Sequence, residues 1–355
     1  MMKSPLRLTA LCALLLTLAG GALLVLVQQR LEAPVNLGAD TSRVWTVKKG
    51  SSLSGVNRQL YAEQILSHPR LLTLYGRLED RVSIQSGSYR ILATDNIKTL
   101  LDKLNRGDVI LHRITFPEGW SFKQWLNHLS KVEQFSGITD TDISAMLLAA
   151  GIELDHPEGW FFPDTYSYSA SDSVLDILLQ AHRQMLRLLD AEWQERDADL
   201  PYATPYDALI MASIIEKETG VGSERPEIAG VFIRRLQRRM RLQTDPTVIY
   251  GLGESYRGNL RRRHLKQFTP YNTYMIKGLP PTPIAMPSAA AINAALHPLP
   301  GSSLYFVARG DGSHYFSDTL DEHVEAVKEY QIKRRAANYH SSPQKKTITR
   351  DPDAR

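Results

Sequence analysis

Residues 204–220, TPYDALIMASIIEKETG, are the stretch of sequence that says most about the fold, because they predict a helix at the centre of a core. Thr204 followed by Pro205 is typical of a helix start, because threonine caps the first free amides and proline suits the first helical position. From Ala208 to Ile215, apolar residues occupy every side of the helix. A helix that is apolar all round is a buried one, so the sequence places this helix inside a core.

The same helix ends in two glutamates, Glu216 and Glu218. At 100° per residue, Glu218 projects on the same side as Met211 and Ile215. Glu216 points nearly the opposite way. Apolar surroundings disfavour the charged form of a carboxyl group, which raises its pKa. The sequence therefore predicts that Glu218 keeps its proton near neutral pH.

Gly220 is expected to cap this helix, so that the negative end of the helix dipole raises the pKa of Glu218 further. A neutral glutamic acid in a cleft is the group that protonates a glycosidic oxygen. The alternative is a solvated helix end, in which Glu216 or Glu218 pairs with Lys217 or Arg225. Composition alone leaves both interpretations open.

On the N-terminal side, residues 45–108 alternate between strand-like and helix-like segments, which predicts a small α/β module. The strand-like segments are WTVKK and GSYRIL, and the helical ones are SGVNRQLYAEQIL and NIKTLLDKLNRG. The stretch VKKGSSL, residues 47–53, resembles the opening of a LysM domain, a peptidoglycan-binding fold. Any strand–turn–helix unit is the alternative.

Between this module and the buried helix, the residues PEGW occur twice, at 117–120 and 157–160. Proline and glycine predict a turn at each copy. The segments FKQWLNHLSKVEQF and DISAMLLAAG read as amphipathic helices, and FFPDTYSY, residues 161–168, as a surface loop or cleft wall. A long helix is expected over about 173–196. The fold class is therefore α+β, with a LysM-like module at 43–112 and a larger mixed α/β domain at 113–335.

The N-terminus is expected to hold a membrane anchor. Residues 8–27 carry no charge, and 20 such residues suffice for a helix to cross the hydrocarbon core. Lys3 and Arg7 precede this run, which predicts a cytoplasmic segment at 1–7 and an external location for the remainder. A cleavable signal is the alternative, given the small residues at 19–22. Residues 28–42 read as a linker, and residues 336–355 as a disordered tail.

Composition excludes several classes of protein. A net charge of +4 over 355 residues is too small to indicate nucleic-acid binding. Cys12 is the single cysteine, so neither an intrachain disulfide nor a cysteine-built metal site is expected. The ten histidines show no metal-binding spacing, and no metal or other cofactor is predicted.

Several motifs after residue 111 occur in an order that resembles one known family. They are FPEGWS, EGWFFPDTY, ASIIEKETG, GVFIRRL, RLQTDPTVIYGLG, TPYNTY, GLPPTPIAMPS and LYFVARGDGSHYFSDTLDEH. Together they resemble the endolytic murein transglycosylases, also called the YceG-like family, over about residues 45–330. In that family the second glutamate of the E-K-E-T segment is catalytic, which corresponds to Glu218.

The resemblance implies a lyase that cuts nascent peptidoglycan strands between N-acetylmuramic acid and N-acetylglucosamine and so ends their elongation. Glu218 would protonate the bridging oxygen and then take the proton of the muramic 6-hydroxyl, leaving a 1,6-anhydro end. The enzyme would act outside the inner membrane, in the periplasm, with peptidoglycan synthases as partners. A non-catalytic wall-binding scaffold and a hydrolytic muramidase are the alternatives.

Polar and aromatic residues near these motifs are candidates for sugar contacts, although each could instead stabilise a loop. A hydrolase would need a second carboxylate, for which Asp245 and Glu158 are the candidates, but a structural or sugar-binding role is preferred for both. The full set of expected substrate-binding residues is Gln243, Thr244, Asp245, Tyr271, Asn272, Tyr274 and Glu158.

Overall fold

The computed structural model describes residues 5–333, and the expected tail at 336–355 lies outside this range. The helices are α1 (Pro5–Glu32), α2 (Leu53–Ala62), α3 (Leu71–Leu78), α4 (Ile97–Arg106), α5 (Phe122–Leu129), α6 (Asp140–Ala149), α7 (Val174–Glu195), α8 (Pro205–Glu218), α9 (Arg225–Gln237), α10 (Asp245–Leu252), α11 (Arg262–Lys266), α12 (Ala289–Leu296) and α13 (Leu320–Val327). The strands are β1 (Ser42–Val47), β2 (Gly87–Leu92), β3 (His112–Thr115), β4 (Thr165–Tyr168), β5 (Tyr305–Ala308) and β6 (His314–Ser317). The expected mixture of helices and strands is confirmed.

Two compact units make up the chain. One comprises Met1–Arg113 with Ser167–Ser173, and the other comprises Ile114–Tyr166 with Val174–Arg355. The chain passes from one unit to the other within β3 and again within β4. The larger unit contains both glutamates of interest, and its interior is the one that matters for the site.

The smaller unit is built on an antiparallel pair, β1 with β2, in which Trp45 lies opposite Tyr89. Helices α2, α3 and α4 contribute to the same core, and Asn96 caps α4 through a reciprocal pair of hydrogen bonds with Thr99. Helix α3 was not expected from the sequence. Residues 31–42, expected to be a linker, contribute Leu31, Val35 and Leu37 to this core, so the chain is already packed from Leu31 onward.

Helix α1 is long and apolar. Its segment Ala13–Glu32 has a mean hydropathy of 1.6 and is long enough to span a membrane, and its apolar side chains are largely exposed. A membrane anchor and a signal sequence both have these properties.

Helix α8 lies in the middle of the larger unit, packed by α7, α9, α10 and α12. Every residue from Ala208 to Ile215 is buried, as the all-round apolar pattern predicts. Thr204 and Asp207 form a reciprocal capping box at its start, with Pro205 in the first turn. At its other end the expected glycine cap is wrong, because the cap residue is Thr219 in an extended conformation.

The segment 161–168 also differs from expectation. The sequence predicts a surface loop or cleft wall, yet Phe161 is completely buried, and Tyr166 and Tyr168 are buried on strand β4. Burial of the aromatic rings in the core is favourable. The strand provides hydrogen bonds for the backbone N–H and C=O groups that are buried with them.

Candidate active site

Helix α8 ends at the wall of a cavity of about 1170 Å³ in the larger unit. Charged and polar residues from distant parts of the chain line this cavity, among them Lys217, Glu218, Arg235, Gln243, Asp245, Tyr274, His314 and His323. A space of this size is ample for several sugar rings, since drug-sized ligands occupy about 300–1,000 Å³. Glu218 is the carboxylate that the buried helix delivers to it.

The carboxyl group of Glu218 accepts a hydrogen bond from the hydroxyl of Thr244. Burial raises the pKa of Glu218 to about 7, and the nearby charge of Asp245 acts in the same direction. The Thr244 hydroxyl and the Arg235 guanidinium oppose this shift but do not cancel it. Glu218 therefore retains its proton at higher pH than an ordinary glutamic acid does and can donate it into the cavity near neutral pH.

Glu216 has a different environment from Glu218, two residues away. It accepts hydrogen bonds from the backbone amide of Ser288 at 3.2 Å and from the Ser288 hydroxyl at 2.5 Å, and lies 3.5 Å from the guanidinium of Arg225. Its side chain is only 6% exposed, and burial raises its pKa. Glu216 thus fastens the end of α8 to the start of α12 and takes no part in lining the cavity.

The segment carrying Gln243, Thr244 and Asp245 is fastened to Thr273. The amide of Gln243 donates to the Thr273 carbonyl at 3.2 Å, and the amide of Thr244 donates to the Thr273 hydroxyl at 3.0 Å. Thr244 precedes α10 but does not cap it with its side chain, because its hydroxyl is directed to Glu218. The Thr244 hydroxyl, which could have capped α10, is therefore used to hydrogen-bond Glu218.

Asp245 and Tyr274 form a pair on the cavity wall, with the tyrosine hydroxyl donating to the carboxylate at 2.8 Å. Burial raises the pKa of Tyr274, and the Asp245 charge raises it further. Gln243 completes this group with an exposed side chain and a left-handed backbone, at φ +53°. Four of the seven residues expected to contact substrate are thus brought together around Glu218, namely Gln243, Thr244, Asp245 and Tyr274.

The structure places the other three expected contacts outside the cavity lining. Asn272 is fully buried, and its amide nitrogen donates to the carbonyls of His264, Leu265 and Gln267. The hydroxyl of Tyr271 lies 2.9 Å from that of Thr282. Both residues stabilise the loop that carries Tyr274.

Glu158 is the third of these residues and is also buried. Its carboxylate accepts the amide of Phe122 at 2.8 Å and the hydroxyl of Tyr250 at 3.0 Å. Burial raises the pKa of Glu158 to about 7, against the lowering effects of these two donors and of Lys217. Its hydrogen bonds tie the second PEGW turn to α5 and α10.

Both PEGW turns contact the same methionine. The amide of Gly119 donates to the Met286 carbonyl at 2.9 Å, and the amide of Gly159 donates to the Met286 sulfur at 3.2 Å. Lys217 joins this arrangement by donating to the Gly119 carbonyl at 3.1 Å. Gly159 has φ +85°, and a Cβ there would lie 2.5 Å from Pro283, so only glycine fits. The first turn thus contacts the end of α8 through Lys217, and Met286 joins the two turns.

Three cavity residues, Arg235, His314 and His323, are not among the catalytic or substrate-binding residues that the sequence predicts. The buried guanidinium of Arg235 donates to the carbonyls of Leu304 and Leu242. The signal for the histidines was present in the motif GDGSHYFSDTLDEH, but nothing in it shows which wall they face. Within residues 5–333, no cluster of three or more His, Cys, Asp or Glu side chains could hold a metal ion.

Comparison with known proteins agrees with this architecture. A model of the YceG-like family matches residues 45–329. The chain belongs to the YceG-like family. The endolytic murein transglycosylase of Bacillus subtilis strain 168 is 29% identical to the chain over 339 residues, which are 88% of this chain and 90% of the relative.

Two further relatives match over a comparable length. The endolytic murein transglycosylase of Streptococcus pneumoniae strain R6 is 26% identical over 342 residues, 85% of this YceG-like chain and 61% of the relative. This chain therefore spans less than two thirds of the pneumococcal protein. A crystal structure of a YceG-like protein from Listeria monocytogenes superposes with a TM-score of 0.51 at 28% identity, covering 80% of this chain and 98% of the other.

Proposed function

We propose that this protein is an endolytic lytic transglycosylase that cleaves peptidoglycan glycan strands, with Glu218 as its catalytic acid. The observation that carries the proposal is a single carboxyl group of raised pKa, about 7, at the wall of a large cavity. Relatives that are named endolytic murein transglycosylases over 85–88% of the chain support the same activity.

The proposed reaction begins when Glu218 protonates the oxygen that joins N-acetylmuramic acid to N-acetylglucosamine. The bond from C1 to that oxygen breaks first. The 6-hydroxyl oxygen of the muramic residue then bonds to C1 on the vacated face and closes a 1,6-anhydro ring, while the Glu218 carboxylate takes the hydroxyl proton. Water is not a reactant, so one carboxylic acid can begin the reaction without the paired carboxylates of a hydrolase. The raised pKa of Glu218 supplies the neutral form that this first step needs.

A hydrolytic muramidase is the second candidate, and Asp245 is the observation that favours it. This carboxylate lines the same cavity as Glu218 and raises its pKa through its charge. Asp245 also accepts the Tyr274 hydroxyl, a partner that suits a positioning role better than activation of water. Reducing ends on the products would favour this candidate.

Sugar contacts follow from the cavity wall. We assign Gln243, Asp245 and Tyr274 to substrate binding, since all three line the cavity. Thr244 acts through Glu218, which it hydrogen-bonds. The hydrogen bonds of Asn272 support a structural role for it.

The smaller unit is proposed to bind peptidoglycan as a LysM-like module, residues 43–112, beside a catalytic domain at 113–335. The order β1, α2, α3, β2, with an antiparallel strand pair, supports a compact binding module. A scaffold without catalysis would rely on this unit alone. Retained strand binding with no cleavage products would be its signature.

Helix α1 is proposed to anchor the enzyme in the inner membrane, with the N-terminus cytoplasmic and the catalytic unit periplasmic. Its apolar segment Ala13–Glu32 supports an anchor. This location would hold the active site close to nascent strands and to the peptidoglycan synthases that make them. Two observations would support this topology. The full-length chain should sediment with the membranes of a cell extract, and protease added to intact spheroplasts should degrade it.

Two glutamine variants test the assignment of the acid. The full chain in detergent is incubated with purified glycan strands, and the shortened strands are quantified by mass spectrometry. Glu218→Gln should abolish cleavage, because an amide cannot donate the proton. Glu216→Gln is the matched control on the same helix and should keep substantial activity, since its amide oxygen can still accept from Ser288. Equal loss in both variants would contradict the assignment.

A further inference from the structure

Among the titratable groups in the wall of the cavity that holds Glu218 is His314. It is the first residue of β6, and its side chain is 5% exposed. Glu224, in the short 3₁₀ turn Gly222–Glu224, holds it in two ways. The ring nitrogen Nδ1 lies 2.8 Å from Oε2 of Glu224, and the backbone amide of His314 donates to Oε1 at 2.9 Å.

The same carboxylate also connects His314 to the end of helix α8. The hydroxyl of Thr219 donates to Oε2 of Glu224 at 3.3 Å. Thr219 follows Glu218 directly and forms the cap of that helix. The imidazole is therefore separated from the residue next to Glu218 by only one carboxylate.

This geometry fixes the tautomer and the plane of the ring. Since Oε2 of Glu224 accepts from Nδ1, the proton of a neutral His314 resides on Nδ1, and Nε2 carries the free lone pair. The ring of Phe306 meets the imidazole edge-on, with centroids 5.4 Å apart and planes at 90°. Nε2 has no hydrogen-bond partner within residues 5–333, and His314 belongs to the cavity lining. A base oriented by a carboxylate, with its free nitrogen on a substrate cavity, is the arrangement of a catalytic base.

We propose that His314 is a second catalytic residue, the base that receives the proton of the muramic 6-hydroxyl. This inference rests on the proposed transglycosylase function and replaces Glu218 in that half of the reaction. The O6–H bond gives its proton to Nε2, O6 forms the bond to C1, and the C1–O bond to the leaving sugar breaks. The leaving oxygen takes the proton of Glu218. The imidazolium then returns its proton to the Glu218 carboxylate through solvent, which restores both groups.

The other ionisable residues of the cavity are less suited to this role. Lys217 donates to a backbone carbonyl, and Arg235 donates to two others. Asp245 accepts the Tyr274 hydroxyl. His323 stacks on Tyr305, and its Nδ1 is buried without a hydrogen-bond partner within the described residues. No carboxylate among these residues therefore fixes the tautomer of its ring.

Two substitutions separate the catalytic role of His314 from its structural contact with Glu224. In His314→Asn, the side-chain amide nitrogen occupies the place of Nδ1 and still donates to Glu224, but Nε2 is gone. In Glu224→Gln, the amide oxygen accepts from the His314 backbone while the amide nitrogen faces Nδ1. That exchange forces the ring proton onto Nε2 and removes the lone pair.

The full chain in detergent is assayed on glycan strands of defined length, with formation of anhydro ends as the rate. Each variant should lower kcat by about 10²- to 10³-fold, within the range of a general base, while KM changes less than about threefold. His297→Asn is the matched control, because His297 also pairs through Nδ1 with a carboxylate, Asp197 at 3.0 Å, but lies outside the cavity lining. It should keep the parental rate.

Chemical rescue provides the readout that a structural role would not move. In His314→Gly, added imidazole should raise kcat at least tenfold, and the increase should saturate as the imidazole concentration rises. Parental kcat in His314→Asn, or no rescue of a folded His314→Gly protein, would overturn the proposal. Reducing ends from the parental enzyme would instead refute the transglycosylase function itself, so the two failures are distinguishable.

Discussion

Replacing Glu218 with glutamine is expected to stabilise the protein in alkaline solution while abolishing its activity. Burial raises the pKa of this carboxyl group from 4.5 to about 7, so the folded state holds a proton that the unfolded chain releases. As pH rises from about 4.5 to 7, this difference in pKa progressively lowers the free energy of unfolding. Above pH 7 the destabilisation has its full value. At about 1.4 kcal/mol per pKa unit, the upper value is ~3 kcal/mol.

The side chain retains some contact with the cavity, which lowers the expected gain to about 1–2 kcal/mol at pH 8.5. At pH 4.5 the gain should vanish, because a protonated glutamic acid and a glutamine are both neutral. Urea denaturation of the parental chain and of Glu218→Gln in detergent, at both pH values, measures this difference. Glu254→Gln is the control, since that carboxylate is exposed and should show no alkaline gain. Equal stability of the parent and Glu218→Gln at pH 8.5 would refute the reasoning.

Three further predictions concern the partner of Glu218 and two structural residues of the larger unit. The value of kcat/KM should decline above about pH 7 as Glu218 ionises. Thr244→Val should move that decline to higher pH, because the threonine hydroxyl lowers the pKa of Glu218. An unchanged pH profile in the variant would contradict this prediction. Asn272→Ala should destabilise the protein by about 2–4 kcal/mol in urea melts, since three backbone carbonyls lose the donor that the buried amide supplies. Gly159→Ala should lower stability by roughly 2 kcal/mol or more, because a left-handed backbone and a clash with Pro283 both oppose a side chain; an unchanged melt would disprove that requirement.

Much of helix α8 and its chemistry was predictable from the sequence, because the evidence is local. An unbroken apolar run from Ala208 to Ile215 requires burial, and Thr204 with Pro205 identifies the start. The desolvation that raises the pKa of Glu218 follows from the same run. The end of the helix was not predictable, since Thr219 ends it with the help of Glu224, which becomes its partner only in the folded chain.

The partners that give each side chain its role are distant in sequence. Thr244 is 26 residues from Glu218, and Ser288 is 72 residues from Glu216. His314 is 90 residues from its carboxylate partner. No periodicity or propensity encodes such pairings, so composition could not distinguish a solvated helix end from two carboxyl groups with separate duties.

Polar composition misled the reading in two segments. Residues 31–42 contain proline, glycine and charged residues, yet their few apolar side chains, Leu31, Val35 and Leu37, pack into the core of the smaller unit. Residues 161–168 contain turn-forming residues, yet Phe161 is completely buried. In both segments the apolar and aromatic side chains determine the location, because the free energy of burying them exceeds the local turn preference.

Product analysis in ¹⁸O-labelled water tests the central claim most directly. Purified glycan strands are digested by the full chain in detergent, and the new ends are weighed by mass spectrometry. Ring closure by the 6-hydroxyl should give muramic ends that are lighter by one water than reducing ends and contain no ¹⁸O, and Glu218→Gln should give none. Reducing ends that carry ¹⁸O would show that water is the nucleophile and would contradict the account.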